Sequence, residues 1–156
     1  MSERTPLTGV VLVGGASERF GAPKALARFR GEMLLARAAR LLAEVCDEVL
    51  VVGKQADGLP FDVLDDGTSA RAPIHGVLAG LRRARHDVVV LPVDVPLMTP
   101  GALRALGEAG AVPSARIPLP GAYPRGLLPV LNRGSRSLPW AIPPSSCPAM
   151  TFPMQK

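Results

Sequence analysis

The chain has 156 residues, a length typical of one domain, and its 47% apolar residues are enough for a hydrophobic core. No run approaches the roughly 18 apolar residues of a membrane span, and no secretory signal precedes the first apolar segment. We therefore expect a cytoplasmic protein with no membrane partner. The net charge is +5, but only 4% of residues are aromatic, so base-stacking surfaces are scarce and we expect no nucleic-acid partner.

Apolar patterns in the first half predict two strands, a helix and a shorter strand. Residues 8–13 are continuously apolar, as in a strand that is covered on both faces. Apolar residues at helical spacing predict a helix over residues 32–45. Residues 48–52 form a second apolar strand, and residues 61–64 a shorter third one that leads into Asp65-Asp66-Gly67.

The second half continues the alternation. A helix is predicted over residues 74–85 and a fourth strand over residues 87–93. Thr99 and Pro100 predict the start of another helix, since Thr is favoured at the N-cap and Pro at the first helical position. Beyond residue 110 we predict a short strand at residues 111–118 and a helix at residues 124–131.

Strands that alternate with helices predict an α/β fold, because such units form parallel sheets with right-handed crossovers. We therefore predict a three-layer, Rossmann-like α/β domain with a mostly parallel sheet over residues 1–138. Residues 139–156 form a Pro-rich tail that is unable to form a regular helix. No internal repeat and no second domain is visible in the sequence.

A glycine-rich segment follows the first strand at residues 12–26. Gly14 and Gly15 carry no Cβ, so their backbone N–H groups can approach a ligand closely. Consecutive N–H groups form an anion-binding concavity, and Arg19 and Lys24 add full positive charges. The alternative is a tight turn with solvated basic residues, but the combination favours a phosphate-binding loop.

Two common phosphate loops do not match this segment. The dinucleotide fingerprint requires Gly-x-Gly-x-x-Gly, whereas the glycines here are residues 14, 15 and 21. The P-loop requires Gly-Lys-Ser/Thr, whereas Lys24 follows Pro23. The segment is therefore a nucleotide loop of another type.

Acidic residues follow two of the predicted strands. Ligands of open parallel sheets lie beyond the carboxyl ends of the strands, where Gly14, Asp66 and Asp94 should meet. A lone Asp after a strand is commonly a turn former or helix cap. Beside a phosphate loop, Asp94 can instead hold Mg²⁺, which binds one or two carboxylates together with phosphate oxygens and waters.

The remaining reactive residue types have structural interpretations. Cys46 and Cys147 lie far apart with no metal-binding spacing, so we expect no zinc site and a free, buried Cys46. His75 is interpreted as a loop or helix-start residue, and His86 as a residue at a helix end.

Residues 12–24 match the pattern Leu-x-Gly-Gly-x-Ser-x-Arg-x-Gly-x-x-Lys, which resembles the signature of the nucleotidyltransferases. Residues 7–15 most resemble the molybdenum cofactor guanylyltransferases, and the resemblance extends to about residue 137. It implies a nucleotidyltransferase fold and transfer of GMP from GTP to molybdopterin-bound molybdenum cofactor, with Mg²⁺ as cofactor and release of pyrophosphate. Further implied partners are other proteins of molybdenum cofactor biosynthesis or the recipient molybdoenzymes.

The resemblance also assigns roles. The family's metal-binding Asp falls on Asp94, and its nucleotide-binding Asp falls on Asp66 rather than Asp65. Arg19 and Lys24 neutralise the triphosphate and, with Asp94, form the expected catalytic set. The expected nucleotide-binding residues are Leu12, Val13, Gly14, Gly15, Lys24, Asp66 and Asp94.

Two alternatives stay open. Pro23-Lys24 favours a molybdenum cofactor cytidylyltransferase that uses CTP, whereas the segment at residues 73–76 favours guanine. The family's Asn-rich closing segment and last helix are replaced here by the Pro-rich tail. That difference favours a nucleotide-binding module that has lost catalysis.

Overall fold

A computed structural model describes residues 4–14, 24–55, 58–67, 72–110 and 119–134 of the chain. Single-turn 3-10 helices lie at Lys24–Leu26 and Arg125–Leu127. The helices are α1 (Leu34–Ala43), α2 (Pro73–Arg83), α3 (Pro100–Ala109) and α4 (Leu128–Gly134). The strands are β1 (Leu7–Val13), β2 (Arg28–Phe29), β3 (Glu32–Met33), β4 (Glu48–Gly53), β5 (Leu64–Asp65), β6 (Asp87–Pro92) and β7 (Gly121–Tyr123).

The main sheet has the strand order β5-β4-β1-β6-β7. Strands β5, β4, β1 and β6 are parallel to one another, and β7 pairs antiparallel with β6. Strand β1 is hydrogen-bonded on both sides and covered on both faces, which explains its continuously apolar sequence. The predicted mostly parallel sheet is confirmed.

Helices cover both faces of this sheet. Successive side chains of a strand point to opposite faces, so Val11 packs with α1 and α3 while Val10 packs with α2 and α4. The predicted three-layer α/β fold is confirmed. None of the helices in the described part of the chain is long and apolar enough to cross a membrane.

The predicted third strand is shorter than the sequence suggests. Only Leu64 and Asp65 pair with β4, and residues 61–63 lie outside the sheet. The backbone N–H of Val63 donates to the side-chain oxygen of Gln55 at 3.1 Å instead of to a neighbouring strand. The prediction of a strand over residues 61–64 was therefore wrong for its first three residues.

The predicted helix over residues 32–45 begins at Leu34. Glu32 and Met33 pair with Arg28 and Phe29 in a small antiparallel hairpin that the sequence analysis did not predict. The N–H of Leu34 then donates to Ala27 O at 2.8 Å, which joins the hairpin to the first turn of α1. A two-residue strand is too short to produce a recognisable alternation of apolar residues.

The C-terminal half agrees in part. Thr99 caps α3, because its side-chain oxygen accepts from Ala102 N at 3.2 Å, as predicted. The predicted helix over residues 124–131 is divided into a 3-10 turn and α4, and the short edge strand β7 was missed. The predicted strand at residues 111–118 and the tail at residues 139–156 lie outside the described residues.

Candidate functional site

The carboxyl ends of β5, β4, β1 and β6 lie along one edge of the sheet, because these four strands are parallel. Gly14 follows β1 at this edge, Asp66 follows β5, and Asp94 lies just beyond β6. The sheet order puts Asp66 and Asp94 on opposite sides of Gly14. The structure thus places these three predicted site residues along one edge, with Gly14 between the two carboxylates.

The ends of β1 and β4 approach each other unusually closely. Gly53 pairs with Val13 and has φ +149°, a conformation that L side chains rarely adopt. A Cβ on Gly53 would overlap the carbonyl oxygen of Val13. Glycine at this position therefore allows the two backbones to lie close together immediately before Gly14. Gly14 itself has a positive φ of +136°.

Lys24 and Asp94 meet beside the end of β1. Lys24 Nζ lies 3.8 Å from Asp94 Oδ2, and the side chains are 44% and 55% exposed. The N–H of Val93 donates to Leu12 O at 3.3 Å, which holds the turn before Asp94 against the last residues of β1. A cation and a carboxylate are therefore both accessible to a ligand at the Gly14 turn.

Buried packing positions the Lys24 side of this pair. Ala25, the next residue, is 2% exposed and belongs to the core cluster that includes Leu35 and Leu42 of α1. The turn itself is closed by Ala27 N, which donates to Lys24 O at 3.0 Å. The short 3-10 helix is thus held by buried Ala25, while the half-exposed Lys24 side chain contacts Asp94.

A second charged cluster lies at the β4–β5 end of the edge. Lys54 Nζ contacts Asp66 Oδ1 at 2.7 Å and Asp65 Oδ1 at 2.9 Å. The side chain of Asp66 is only 14% exposed, compared with 64% for Asp65. The less exposed carboxylate is the one that the sequence analysis selected, but the two share one cation.

The ion pairs of this cluster shift two pKa values. Asp66 and then Asp65 raise the pKa of Lys54, since both carboxylates favour its charged form. Lys54 lowers the pKa of Asp65, and the Gly67 N–H, which donates to Asp65 Oδ1 at 2.6 Å, lowers it further. Sequence reasoning missed Lys54, although its position directly after β4 was a usable signal.

The sequence of this fold matches a known family. Residues 9–138 match the family described as the MobA-like NTP transferase domain. The chain belongs to this family. The match begins within β1 and includes the Gly14 turn, the Lys24–Asp94 pair and the Lys54 cluster.

Named relatives of this MobA-like domain support the assignment. A protein of Chloroflexus aggregans named "Probable molybdenum cofactor guanylyltransferase" is 35% identical over 132 residues, which cover 80% of this chain and 64% of the relative. A molybdenum cofactor guanylyltransferase of Pseudomonas putida is 32% identical over 159 residues, covering 89% and 83%. The chain therefore spans less than two thirds of the length of the first of these relatives.

A solved structure has the same fold. The crystal structure of a protein from Aquifex aeolicus VF5 superposes with a TM-score of 0.67 at 28% sequence identity. The superposition covers 86% of this chain and 78% of that protein. The similarity therefore extends over most of both chains.

Asp94 is the residue of this MobA-like domain that the sequence predicts to hold a divalent cation. Its carboxylate is exposed at the edge where a phosphate would lie against Lys24. Among the described residues, no group of three or more His, Cys, Asp or Glu side chains converges on one point. A single carboxylate is compatible with Mg²⁺, which typically uses one or two carboxylates together with phosphates and waters, and the role of Asp94 as its ligand stays a prediction.

Four other predicted site residues are placed only in part. Leu12 and Val13 are the last residues of β1; Val13 is 6% exposed and Leu12 is half-buried, so their nucleotide-binding roles stay predictions. Gly15 and Arg19 lie outside the described residues. Their roles as a nucleotide-binding glycine and a catalytic cation stay predictions.

The cysteine and histidine residues to which the sequence analysis gave structural roles lie away from this edge or at the start of a helix. Cys46 is a buried free thiol, as predicted, and burial raises its pKa to about 12. His75 lies in the first turn of α2, and the backbone of His86 donates to Thr8 Oγ1 at 3.2 Å. Cys147 lies outside the described residues.

Proposed function

We propose that this MobA-like domain transfers GMP from GTP to molybdopterin-bound molybdenum cofactor, with Mg²⁺ as cofactor and release of pyrophosphate. The relatives are named as guanylyltransferases of this cofactor, which supports the choice of base and acceptor. The observation that carries the proposal is the accessible Lys24–Asp94 pair beside the Gly14 turn. This arrangement provides a cation for phosphates and a carboxylate for a metal at the same place.

The width of the site edge suits an extended nucleotide. Three strand spacings separate β5 from β6, which corresponds to about 14 Å at the usual spacing in a sheet. In the proposed complex the triphosphate lies between Gly14, Lys24 and Asp94. The nucleoside extends toward β4 and β5, where we expect Asp66 to accept hydrogen bonds from it.

The proposed reaction requires mainly positioning and charge neutralisation. An oxygen of the acceptor phosphate attacks the α-phosphorus of GTP in line, and the bond from that phosphorus to the pyrophosphate oxygen breaks. Lys24 neutralises the triphosphate, with Arg19 as a second proposed cation, and the Gly14 turn orients it. Asp94 would hold Mg²⁺, which when bound stabilises charge on the departing pyrophosphate.

GTP affinity with and without Mg²⁺ tests this proposal. We expect Lys24→Ala to weaken GTP binding about tenfold or more in both conditions, because a charge-assisted contact is lost. Asp94→Ala should remove only the part of the affinity that Mg²⁺ adds. Arg40→Ala is the control, since Arg40 is an exposed cation that pairs with Glu32 and Glu44. Unchanged affinity in both site variants would contradict the proposal.

Two further measurements separate the alternatives. Competition between GTP and CTP for the site distinguishes the guanylyltransferase from the cytidylyltransferase, and we expect GTP to bind with the higher affinity. Pyrophosphate release on addition of GTP, Mg²⁺ and molybdenum cofactor distinguishes an enzyme from a binding module. GTP binding without any pyrophosphate release would favour the module that has lost catalysis.

A further inference from the structure

Arg37 of α1 contacts the chain immediately after Asp94. Its Nε donates to Pro96 O at 2.7 Å, two residues beyond the carboxylate. The same guanidinium donates to Glu32 Oε2 at 3.3 Å and lies 5.5 Å from the centre of the Phe29 ring. Its orientation is therefore set by the β2–β3 hairpin before it reaches Pro96.

The first turns of α1 also hold the Lys24 side of the site. Leu34, the first residue of α1, donates its N–H to Ala27 O at 2.8 Å, and Ala27 N donates to Lys24 O. Both members of the Lys24–Asp94 pair are thus attached to the start of the same helix. One attachment is a backbone hydrogen bond, and the other is the side chain of Arg37.

We propose that Arg37 is a positioning residue for Asp94, an inference that rests on the proposed function. In the connection at residues 94–98, Val95 and Met98 pack against the core, whereas Asp94 and Leu97 are exposed. Arg37 adds a polar contact to this connection at Pro96, between the two packed residues. Charge-assisted hydrogen bonds are stronger than neutral ones, and this one is short. By holding Pro96 O, Arg37 sets where the Asp94 carboxylate lies relative to Lys24 and to a metal-bound triphosphate.

Arg40 provides a matched control on the same helix. It pairs with Glu32 at 2.9 Å and with Glu44 at 3.0 Å, and neither contact reaches the connection after Asp94. Loss of Arg40 removes one cation from α1 and one partner from Glu32, as loss of Arg37 does. A difference between the two variants therefore reflects the contacts that Arg37 makes and Arg40 does not, with Pro96 O and with the Phe29 ring.

The first test measures how GTP binding depends on Mg²⁺ concentration. Arg37→Met should raise the Mg²⁺ concentration for half-maximal GTP binding about tenfold. This is the lower end of the loss of metal affinity seen when a residue that orients a metal ligand is replaced. GTP affinity without Mg²⁺ should stay unchanged, and Arg40→Met should behave as the wild type. Arg37→Lys, which keeps a cation and a donor, should restore most of the Mg²⁺ response.

The second test needs no nucleotide. Hydrogen exchange over residues 93–99 should be faster in Arg37→Met than in the wild type and unchanged in Arg40→Met. Arg37→Gln is measured alongside as a milder replacement, and thermal unfolding of each variant shows that the fold is retained. Unchanged exchange in both Arg37 variants would overturn the inference even if GTP binds. Absence of Mg²⁺-dependent GTP binding in the wild type would instead overturn the proposed function, and with it the role of Arg37 in this reaction.

Discussion

At the scale of single side chains, Lys54 is the charged residue of the site edge that the sequence analysis missed. It joins two adjacent carboxylates, Asp65 and Asp66, that would otherwise repel each other and an incoming triphosphate. Because Lys54 and Asp65 are about half exposed or more, the pairing contributes little to stability. Its consequence should therefore appear in ligand binding rather than in folding.

Replacement of Lys54 tests this role. We expect Lys54→Met to weaken GTP binding about fivefold, the upper range for an exposed ion pair, because the site edge then loses a cation beside two carboxylates and repels the anionic nucleotide more strongly. Lys54→Arg should keep most of the affinity. Isothermal titration calorimetry gives the affinity, and a thermal melt checks the fold. Equal affinity in wild type and Lys54→Met would show that this cluster lies outside the nucleotide site.

Lys24 and Asp94 could be predicted from the sequence because each is part of a local pattern. Lys24 ends a glycine-rich loop, and Asp94 directly follows an apolar strand. Lys54 and Arg37 could not be assigned in the same way, since their partners Asp66 and Pro96 lie 12 and 59 residues away. Contacts at such separations follow from strand order and helix packing, which a local pattern does not specify.

At the scale of elements, the junction of β1 and β4 shapes the site. Gly53 allows the end of β4 to contact the backbone of Val13, and this contact precedes both Gly14 and Lys54. The junction therefore supports the Gly14 turn on one side and the acidic cluster on the other.

Gly53→Ala should lower the free energy of unfolding by about 2 kcal/mol or more. The positive φ of residue 53 is strained for alanine, and the added Cβ would overlap the backbone of Val13. Gly101→Ala in α3 is the control: a Cβ there meets nothing within 4 Å, so we expect no loss or a gain of about 0.5 kcal/mol. Urea unfolding midpoints measure both. A Gly53→Ala variant as stable as the wild type would contradict the close approach.

The elements predicted well are those with strong local signals. Thr99 and Pro100 begin α3 as expected, because capping depends on residues within one turn. The sequence analysis missed β7 and the β2–β3 hairpin and began β5 too early. Each of these strands has only two or three residues, so its existence depends on a neighbouring strand rather than on its own sequence.

At the scale of the whole molecule, carboxylates in three regions link stability to pH. The pKa of Asp47 is lowered by the Leu7 N–H and by Arg4, and the pKa of Glu32 by Arg40 and then Arg37. The pKa of Asp65 is lowered chiefly by Lys54. A carboxyl whose pKa is lower in the folded state stabilises that state above its unfolded pKa and loses the effect as pH falls through the folded pKa.

We therefore expect unfolding stability to be level between about pH 5 and pH 7 and to fall progressively below about pH 4, the range of unfolded carboxyl pKa values. Urea unfolding at about pH 7, 5, 4 and 3 measures this dependence. Asp47→Asn should reduce the acid-induced loss because one titrating group is removed. Stability that is constant down to about pH 3 would contradict the lowered pKa values.

The sequence by itself determined the class of fold and the central strand, and it predicted a phosphate-binding loop and a site aspartate after β6. These follow from apolar periodicity and from chemistry within a few residues, both of which are encoded locally. Only the tertiary structure decided the strand order that separates Asp66 from Asp94, and only it brought Lys54 to Asp66 and Arg37 to Pro96. The physical reason is that such contacts depend on which strands pair and which helix packs beside them, and that choice is made by the whole core at once.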